Sequence, residues 1–419
     1  MSPRARSIER RRLRRKRAAQ DELAGTDAVP IGRPEEPGIG LLPAAEEPPA
    51  EAPGAQLEDQ VGAAPAARAA VTAEPVAVGA GCPKHMVFGP CGGVQPDGSC
   101  EIGGACAFVG DGAAAAPAVE APAPVSLRPA AEQVRLLMQR RQIIVADLPS
   151  AGPDVELERR LASALAGSVD AALLGDSPWA RLQLPPSLRA SLVAVEGLRP
   201  WPGLNCRDRN RVALEAELVA LAATGVGAVH CVTGDHPLAG HAARGTQAPE
   251  AVFDLDSTQL ASLAAARGLV VSVAESPSAP PVRDRPARAA AKARAGASIV
   301  YVNHAGNHDE LVDFIARTRE RSPDLRIVVC VPMVLSDGGA RRLAEFLPGA
   351  SLPASLLAPL DAPNPAAAAI AAAVDRASSC LAIDGVDGVD LSAPPAAGEE
   401  LVVADALATV GRELDGGRA

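Results

Sequence analysis

Short apolar runs rich in β-branched residues recur along the second two thirds of the chain, each bounded by polar or glycine-containing turns. They fall at Ile143–Ala146, Ala171–Leu174, Leu198–Asn205, Ala228–Val232, Leu269–Ala274, Ser298–Val302, Ile327–Val331 and Val386–Leu391. Continuous apolar runs of this length predict strands buried on both faces. Between them lie stretches with apolar residues at three- and four-residue spacing, such as Val155–Leu165, Arg209–Ala223, Thr258–Arg267, Pro286–Ala295, Asp309–Arg321 and Pro365–Ala377. That spacing predicts amphipathic helices. Eight strands alternating with helices predict an α/β fold, a (βα)8 TIM barrel over residues 135–415. Functional residues are then expected just past the C-terminal ends of the strands.

Before residue 135 the pattern stops. Ala, Gly and Pro dominate, and such sequence buries too little apolar surface to offset its ordering entropy. The expected organisation is a disordered segment over 1–79, a compact Cys/Gly-rich module over 80–110 and a second linker over 111–134. Nine Arg and Lys against Glu9 give residues 1–20 a charge of +8, so the chain's net −10 leaves −18 for the remainder. An acidic barrel argues against nucleic-acid binding by the folded part, and only the basic tail suits such a partner. No run of apolar residues is long enough to span a membrane, and the basic tail lacks the apolar core of a signal peptide. The expected compartment is therefore the cytoplasm.

Four of the eight cysteines, Cys82, Cys91, Cys100 and Cys106, cluster with the spacing C-x8-C-x8-C-x5-C, and glycines lie close to each. Four thiolates converging on one point suit Zn²⁺ or an iron–sulfur cluster, and the spacing does not choose between them. Without a secretion signal a disulfide framework is not expected. Cys206, Cys231, Cys330 and Cys380 lie in or beside apolar segments and read as small core residues. Arg outnumbers Lys 37 to 3. Two of the lysines, Lys84 and Lys292, fall within motifs, marking positions where a compact ammonium is wanted rather than a guanidinium.

The module reads Cys82-Pro83-Lys84, then Gly89-Pro90-Cys91-Gly92-Gly93 and Gly98-Ser99-Cys100-Glu101. This resembles the small cysteine module named for the C-terminal region of some bacterial methylenetetrahydrofolate reductases, here placed ahead of the barrel. Within the barrel come Cys206-Arg207-Asp208-Arg209-Asn210-Arg211, with Asp208 a candidate helix N-cap, and Thr233-Gly234-Asp235-His236-Pro237 after a predicted strand. Phe253-Asp254-Leu255-Asp256-Ser257, Lys292-Ala293-Arg294-Ala295-Gly296-Ala297 and Asp387-Gly388-Val389-Asp390-Leu391 follow. Together these stretches resemble the methylenetetrahydrofolate reductase family over nearly all of 140–412.

The resemblance implies a barrel that holds FAD at its C-terminal face and reduces 5,10-methylenetetrahydrofolate to 5-methyltetrahydrofolate. A folate is the implied substrate, with NAD(P)H or an electron-donor protein as partner. It implies catalytic roles for Asp235 and Asn303, and cofactor contacts from Thr233, Gly234, Asp235, Phe253, Asp254, Arg288 and Lys292. Asn303 matches a family glutamine that contacts folate, and Gly203 matches a histidine found near the flavin in some members. The family's proton-donating glutamate, three residues before a proline on the first strand, is matched by Ala146. Asp147 is adjacent, but strand alternation predicts that it aims out of the barrel. Glu275, His304 and Asp147 are the candidate substitutes. The other reading is a catalytically degenerate barrel that binds flavin or folate, or acts as a regulatory or scaffold partner through its cysteine module. His236, His241 and His308 fall in predicted loops, and Trp179, Trp201, Phe253 and Tyr301 are the rings available for stacking.

Overall fold

The structure, a computed structural model, describes residues 81–110, 116–175, 182–239, 249–303, 307–346 and 352–416. The described residues all fall within one unit of the chain, 67–419. The segment expected to be disordered, 1–79, lies outside the described residues. Within that unit eight parallel strands close into a barrel in simple sequential order. They are β1 (Ile143–Asp147), β2 (Ala171–Leu174), β3 (Pro200–Asn205), β4 (Ala228–Val232), β5 (Val270–Glu275), β6 (Ile299–Val302), β7 (Arg326–Pro332) and β8 (Gly388–Ser392). The helices are α1 (Pro129–Arg140), α2 (Val155–Leu165), α3 (Pro186–Val195), α4 (Arg211–Ala223), α5 (Ser257–Ala265) and α6 (Arg285–Arg294), followed by α7 (His308–Arg321), α8 (Asp337–Phe346), α9 (Ala354–Leu357), α10 (Pro365–Leu381) and α11 (Glu400–Gly416).

Two apolar layers set which way each strand residue points. Ile144, Ala146, Val229, Val271, Val300, Val329 and Leu391 face the surrounding helices. Ile143, Val145, Leu173, Trp201, Tyr301 and Val328 face the barrel axis, where Val134 and Met138 of α1 pack against them from below. Helix α1 thus plugs the N-terminal end of the barrel, so the linker expected over 111–134 ends in a helix. At Gly227, a Cβ would come within 2.5 Å of the Ala130 carbonyl oxygen, which fixes how closely the plug approaches β4. Ahead of α1 the chain runs extended, and the Arg128 amide donates to the Gly268 carbonyl at 2.9 Å.

The alternation corrects the sequence-based expectation for β1. Because Ile143 and Val145 rest on the plug, Ala146 faces outward and Asp147 faces into the barrel. A second correction concerns the start of α4. Asn210, not Asp208, caps it by accepting from the Ala213 amide at 3.0 Å, while Asp208 pairs with Arg207. Among the described residues no helix is long and apolar enough to cross a membrane.

The cysteine module, residues 81–110, has no regular element apart from an isolated antiparallel bridge between Ser99 and Ala105. Its own core is small: Met86, Val94 and Phe108 are its buried apolar residues.

Candidate ligand site at the C-terminal mouth of the barrel

Six strands bring polar side chains to the inner wall near the C-terminal end: Asp147 from β1, Asn205 from β3, His230 from β4, Tyr301 from β6, Cys330 from β7 and Asp390 from β8, with Asn303 just past β6. Register places them. Asp390 lies opposite Val145 on one side and Cys330 on the other, with Asp147 two residues further along β1. The Cys330 thiol donates to Asn303 Oδ1 at 2.7 Å and lies 3.4 Å from Asp390 Oδ2. Lower down, Ser272 Oγ meets Trp201 Nε1 at 3.0 Å, His230 Nδ1 at 2.8 Å and the Val229 carbonyl at 3.2 Å. A hydroxyl has one proton and two lone pairs. The arrangement is satisfied when Ser272 donates to Val229 and accepts from both rings, which puts the imidazole proton on Nδ1. Tyr301 stands edge-on to Trp201 and His230, with centroids 5.8 and 4.9 Å away.

Burial drives both aspartates toward the neutral form. Asp147, partly open at the mouth, is pushed up to about 6 by desolvation, against a hydrogen bond to Ser392 that favours its charge. Asp390 rises well above the carboxylate range, through burial first and then through Asp147. Burial and mutual repulsion together make the pair reluctant to carry both charges at once. Burial likewise pushes the Cys330 thiol far up, with Asp390 and Asp147 adding to it, so it is no nucleophile. His230, pulled down to about 3 by burial and then by Lys292, stays neutral. Three buried atoms here have no protein hydrogen-bond partner: Asp390 Oδ1, Tyr301 Oη and Asn205 Nδ2.

The opposite side of the mouth, past β4 and β5, is covered by the cysteine module. Phe88 and Val87 donate their amides to Asp256 Oδ2, which belongs to the capping box of α5. His85 Nδ1 lies 3.2 Å from the Phe253 carbonyl, and both residues have positive φ, 48° and 41°. The His236 amide donates to Glu101 at 2.7 Å, and Glu101 pairs with the buried Lys84 at 2.6 Å. Lys84 also lies in the field of Cys91 and Asp235. From α6, Arg285 donates to the Cys91 and Pro90 carbonyls and Arg288 to the Phe88 carbonyl.

The residues expected to contact a cofactor lie mostly beneath this cover. Lys292 donates to the Ala274 carbonyl at 2.5 Å and to Glu275 at 3.0 Å, and Arg285 pairs with the other Glu275 oxygen at 3.0 Å. Burial alone would raise Glu275, but Lys292, Arg285 and Arg288 hold it down to about 2, so it serves as no proton donor. Thr233 accepts from the Ser257 amide, and Asp254 accepts from the Arg211 amide at the start of α4. Gly234 has a φ of +88°, and a Cβ there would lie 3.1 Å from that of Arg207. Phe253 is buried and stacked with His236 at 5.8 Å. Asp235 remains exposed, as does His308 at the first position of α7. His241, His304 and Trp179 lie outside the described residues.

All four clustered cysteines line one cavity together with Lys84, Met86 and Phe108. Among the described residues, no three His, Cys, Asp or Glu side chains converge as a single-ion site requires. The four thiols around this cavity are a donor set of the kind that zinc and iron–sulfur clusters both take, and the cavity does not choose between them. Of the scattered cysteines, Cys206 and Cys231 are buried in the apolar layer as expected, whereas Cys330 faces the polar mouth.

The chain matches no protein-family model and no curated protein. Among solved structures it is similar to an uncharacterized protein from Clostridium thermocellum that binds two copies of 5-methyl-5,6,7,8-tetrahydrofolic acid. That likeness has 11% identity and a TM-score of 0.49, over 67% of this chain and 99% of the other. Tryptophan synthase from M. tuberculosis follows at 16% identity and a TM-score of 0.40, over 69% and 100%. Likenesses this distant carry no functional weight.

The mouth was only partly legible in the sequence. Asp390 lies inside a recognisable motif that gives it no role, His230 is hidden in an apolar strand, and Asp147 is a candidate substitute acid whose expected direction is outward. A polar residue at an alternate position of an otherwise apolar strand is the signal that finds all three, once the inward parity is known.

Proposed function

We propose that the mouth binds a reduced folate carrying a one-carbon unit and that the Asp147–Asp390 pair supplies it with a proton. In its finer form, the reaction is reduction of 5,10-methylenetetrahydrofolate to 5-methyltetrahydrofolate. The observation that carries this reading is an inward carboxyl pair whose members are both raised above the ordinary carboxylate range by burial, at the end of β1 where the sequence resemblance calls for an acid. A pterin edge has both donors and acceptors, and the three orphaned atoms on Asp390, Tyr301 and Asn205 offer it complementary partners. Asp147, nearer the opening, is placed to protonate the nitrogen released as the one-carbon ring opens. The hydride equivalent comes from outside the barrel, from NAD(P)H or an electron-donor protein. The module's thiols would hold zinc or an iron–sulfur cluster, and a cluster would supply one-electron transfer.

The test is calorimetric titration of the full chain with 5-methyltetrahydrofolate, alongside Asp390→Asn and Asp147→Asn. Saturable binding weakened at least about tenfold by Asp390→Asn is expected. General-acid catalysis contributes about 10²–10⁴-fold, so Asp147→Asn should lower turnover of 5,10-methylenetetrahydrofolate, assayed with a reduced donor, by that order while 5-methyltetrahydrofolate still binds. No folate binding by the wild-type chain would end the reading. Binding without turnover would leave a folate-binding regulatory or scaffold barrel.

A further inference from the structure

The residues present do not fit a flavin at the place the family resemblance gives it. A dinucleotide needs free cations and amides for its phosphates. Here one terminal nitrogen of Arg288 donates to the Phe88 carbonyl while its Nε, buried against the module, has no protein partner, and Lys292 is held by Glu275 and the Ala274 carbonyl. Withdrawing Lys292 would remove half the neutralisation of a fully buried carboxylate, and withdrawing Arg288 would take the donor from the part-buried Phe88 carbonyl. Thr233 and Asp254 are used by the amides of Ser257 and Arg211. The space is taken as well. A Cβ on Gly89 would sit 3.0 Å from the Arg288 side chain, and one on Gly92 would sit 3.1 Å from Ser276 Oγ, so the module's backbone lies directly on the loops past β5.

We infer that the cysteine module is the fixed occupant of the β4–β5 side of the mouth, and that the barrel takes its ligand without FAD. The cover is fastened at separate points: His85 on Phe253, Val87 and Phe88 on Asp256, Glu101 on His236, and Arg285 and Arg288 on the carbonyls of residues 88–91. Lys84 carries the charge arrangement across the seam. Its ammonium pairs with Glu101 inside the module and lies in the field of Asp235 on the barrel. A flavin contact surface has thus become a surface for a segment of the chain itself. The inference depends on the resemblance for where a flavin would sit, and not on the folate reading.

The test has two arms on the full chain, prepared without oxygen. In the first, FAD and FMN are titrated and bound flavin is read by fluorescence quenching and by retention on ultrafiltration; no saturable binding is expected. In the second, hydrogen exchange is followed at the Val87 and Phe88 amides with and without FAD. A docked module predicts exchange slowed about a hundredfold or more relative to an unstructured peptide, unchanged by FAD and faster in Asp256→Ala. Stoichiometric flavin binding by the wild-type chain overturns the inference. So does free exchange at Val87 and Phe88, which would mean that the cover is not fixed. Folate binding in the same preparation separates the two readings, since either result there leaves the flavin outcome decisive.

Discussion

The two sides of the barrel mouth are built from the same kinds of residue and put to opposite uses. On the β4–β5 side, Glu275, Arg285, Lys292, Lys84 and Glu101 are all buried or nearly so, and each has an ion-pair partner. Inside the mouth, Asp147 and Asp390 face each other with no cation paired to either among the described residues, and buried atoms of Asp390, of Tyr301 on β6 and of Asn205 on β3 lack a protein partner. The ion pairs of Glu275 and Glu101 are satisfied internally and hold the chain together, with Arg288 Nε the orphaned atom beside them. A cluster with orphaned atoms costs stability, and folds tolerate such costs mainly where a ligand supplies the missing partners.

Substitutions sharpen that contrast, and the largest effect belongs to the paired side. Replacing Lys292 with Met leaves Glu275 buried beside Arg285 alone. Breaking a buried pair typically costs about 3–5 kcal/mol, so thermal unfolding should move sharply downward. Next is Asp256→Ala, which removes the α5 capping box and the acceptor for Val87 and Phe88. Loss of a cap costs about 0.5–2 kcal/mol, and denaturant unfolding should show a loss at the upper end of that range. On the orphaned side the direction reverses. Asp147→Asn removes a charge the fold disfavours and should leave stability unchanged or raise it at pH 8, with no gain at pH 4.

The sign of that pH dependence follows from linkage. Asp147 has an ordinary value of 3.8 and rises to about 6 in the folded chain. Between those values the folded chain binds more protons than the unfolded one, so this group's contribution falls as pH rises from 4 to 6 and then levels off. Glu275 acts in the opposite sense. Its folded value is depressed to about 2, so the stability it supplies is present above its unfolded value and is lost as pH falls below about 4 toward 2. Melting curves of wild type, Asp147→Asn and Lys292→Met between pH 3 and 8 resolve the two slopes. If Asp147→Asn leaves the pH 4–6 slope intact, the carboxyl pair is not what titrates there.

The barrel was legible because its strands are uninterrupted apolar runs. Ala171–Leu174 and Ala228–Val232 begin and end in the structure where the periodicity predicts. The short Pro186–Val195 helix and the plug Pro129–Arg140 were not foreseen, since Pro and Ala obscure their start and blur them into linker sequence. The direction of Asp147 was unreadable for a related reason. A strand buried on both faces has no polar alternation to mark its inward side, and only the packing of Ile143 and Val145 on the plug fixes it. The lysine count proved informative, since Lys84 and Lys292 both turn out to be buried and paired with glutamates. Their partners, Glu101 and Glu275, lie 17 residues away in each case and carry no local signature.

The most direct test of the account is made on the full chain at pH 6 and pH 8, for wild type and Asp147→Asn: affinity by titration with 5-methyltetrahydrofolate, and turnover with 5,10-methylenetetrahydrofolate and a reduced donor such as NAD(P)H. The account predicts saturable binding to the flavin-free wild-type chain, and turnover that falls as pH rises above about 6 and loses that dependence in Asp147→Asn. A wild-type chain that binds no reduced folate, or that acquires folate binding only when FAD is added, would contradict it.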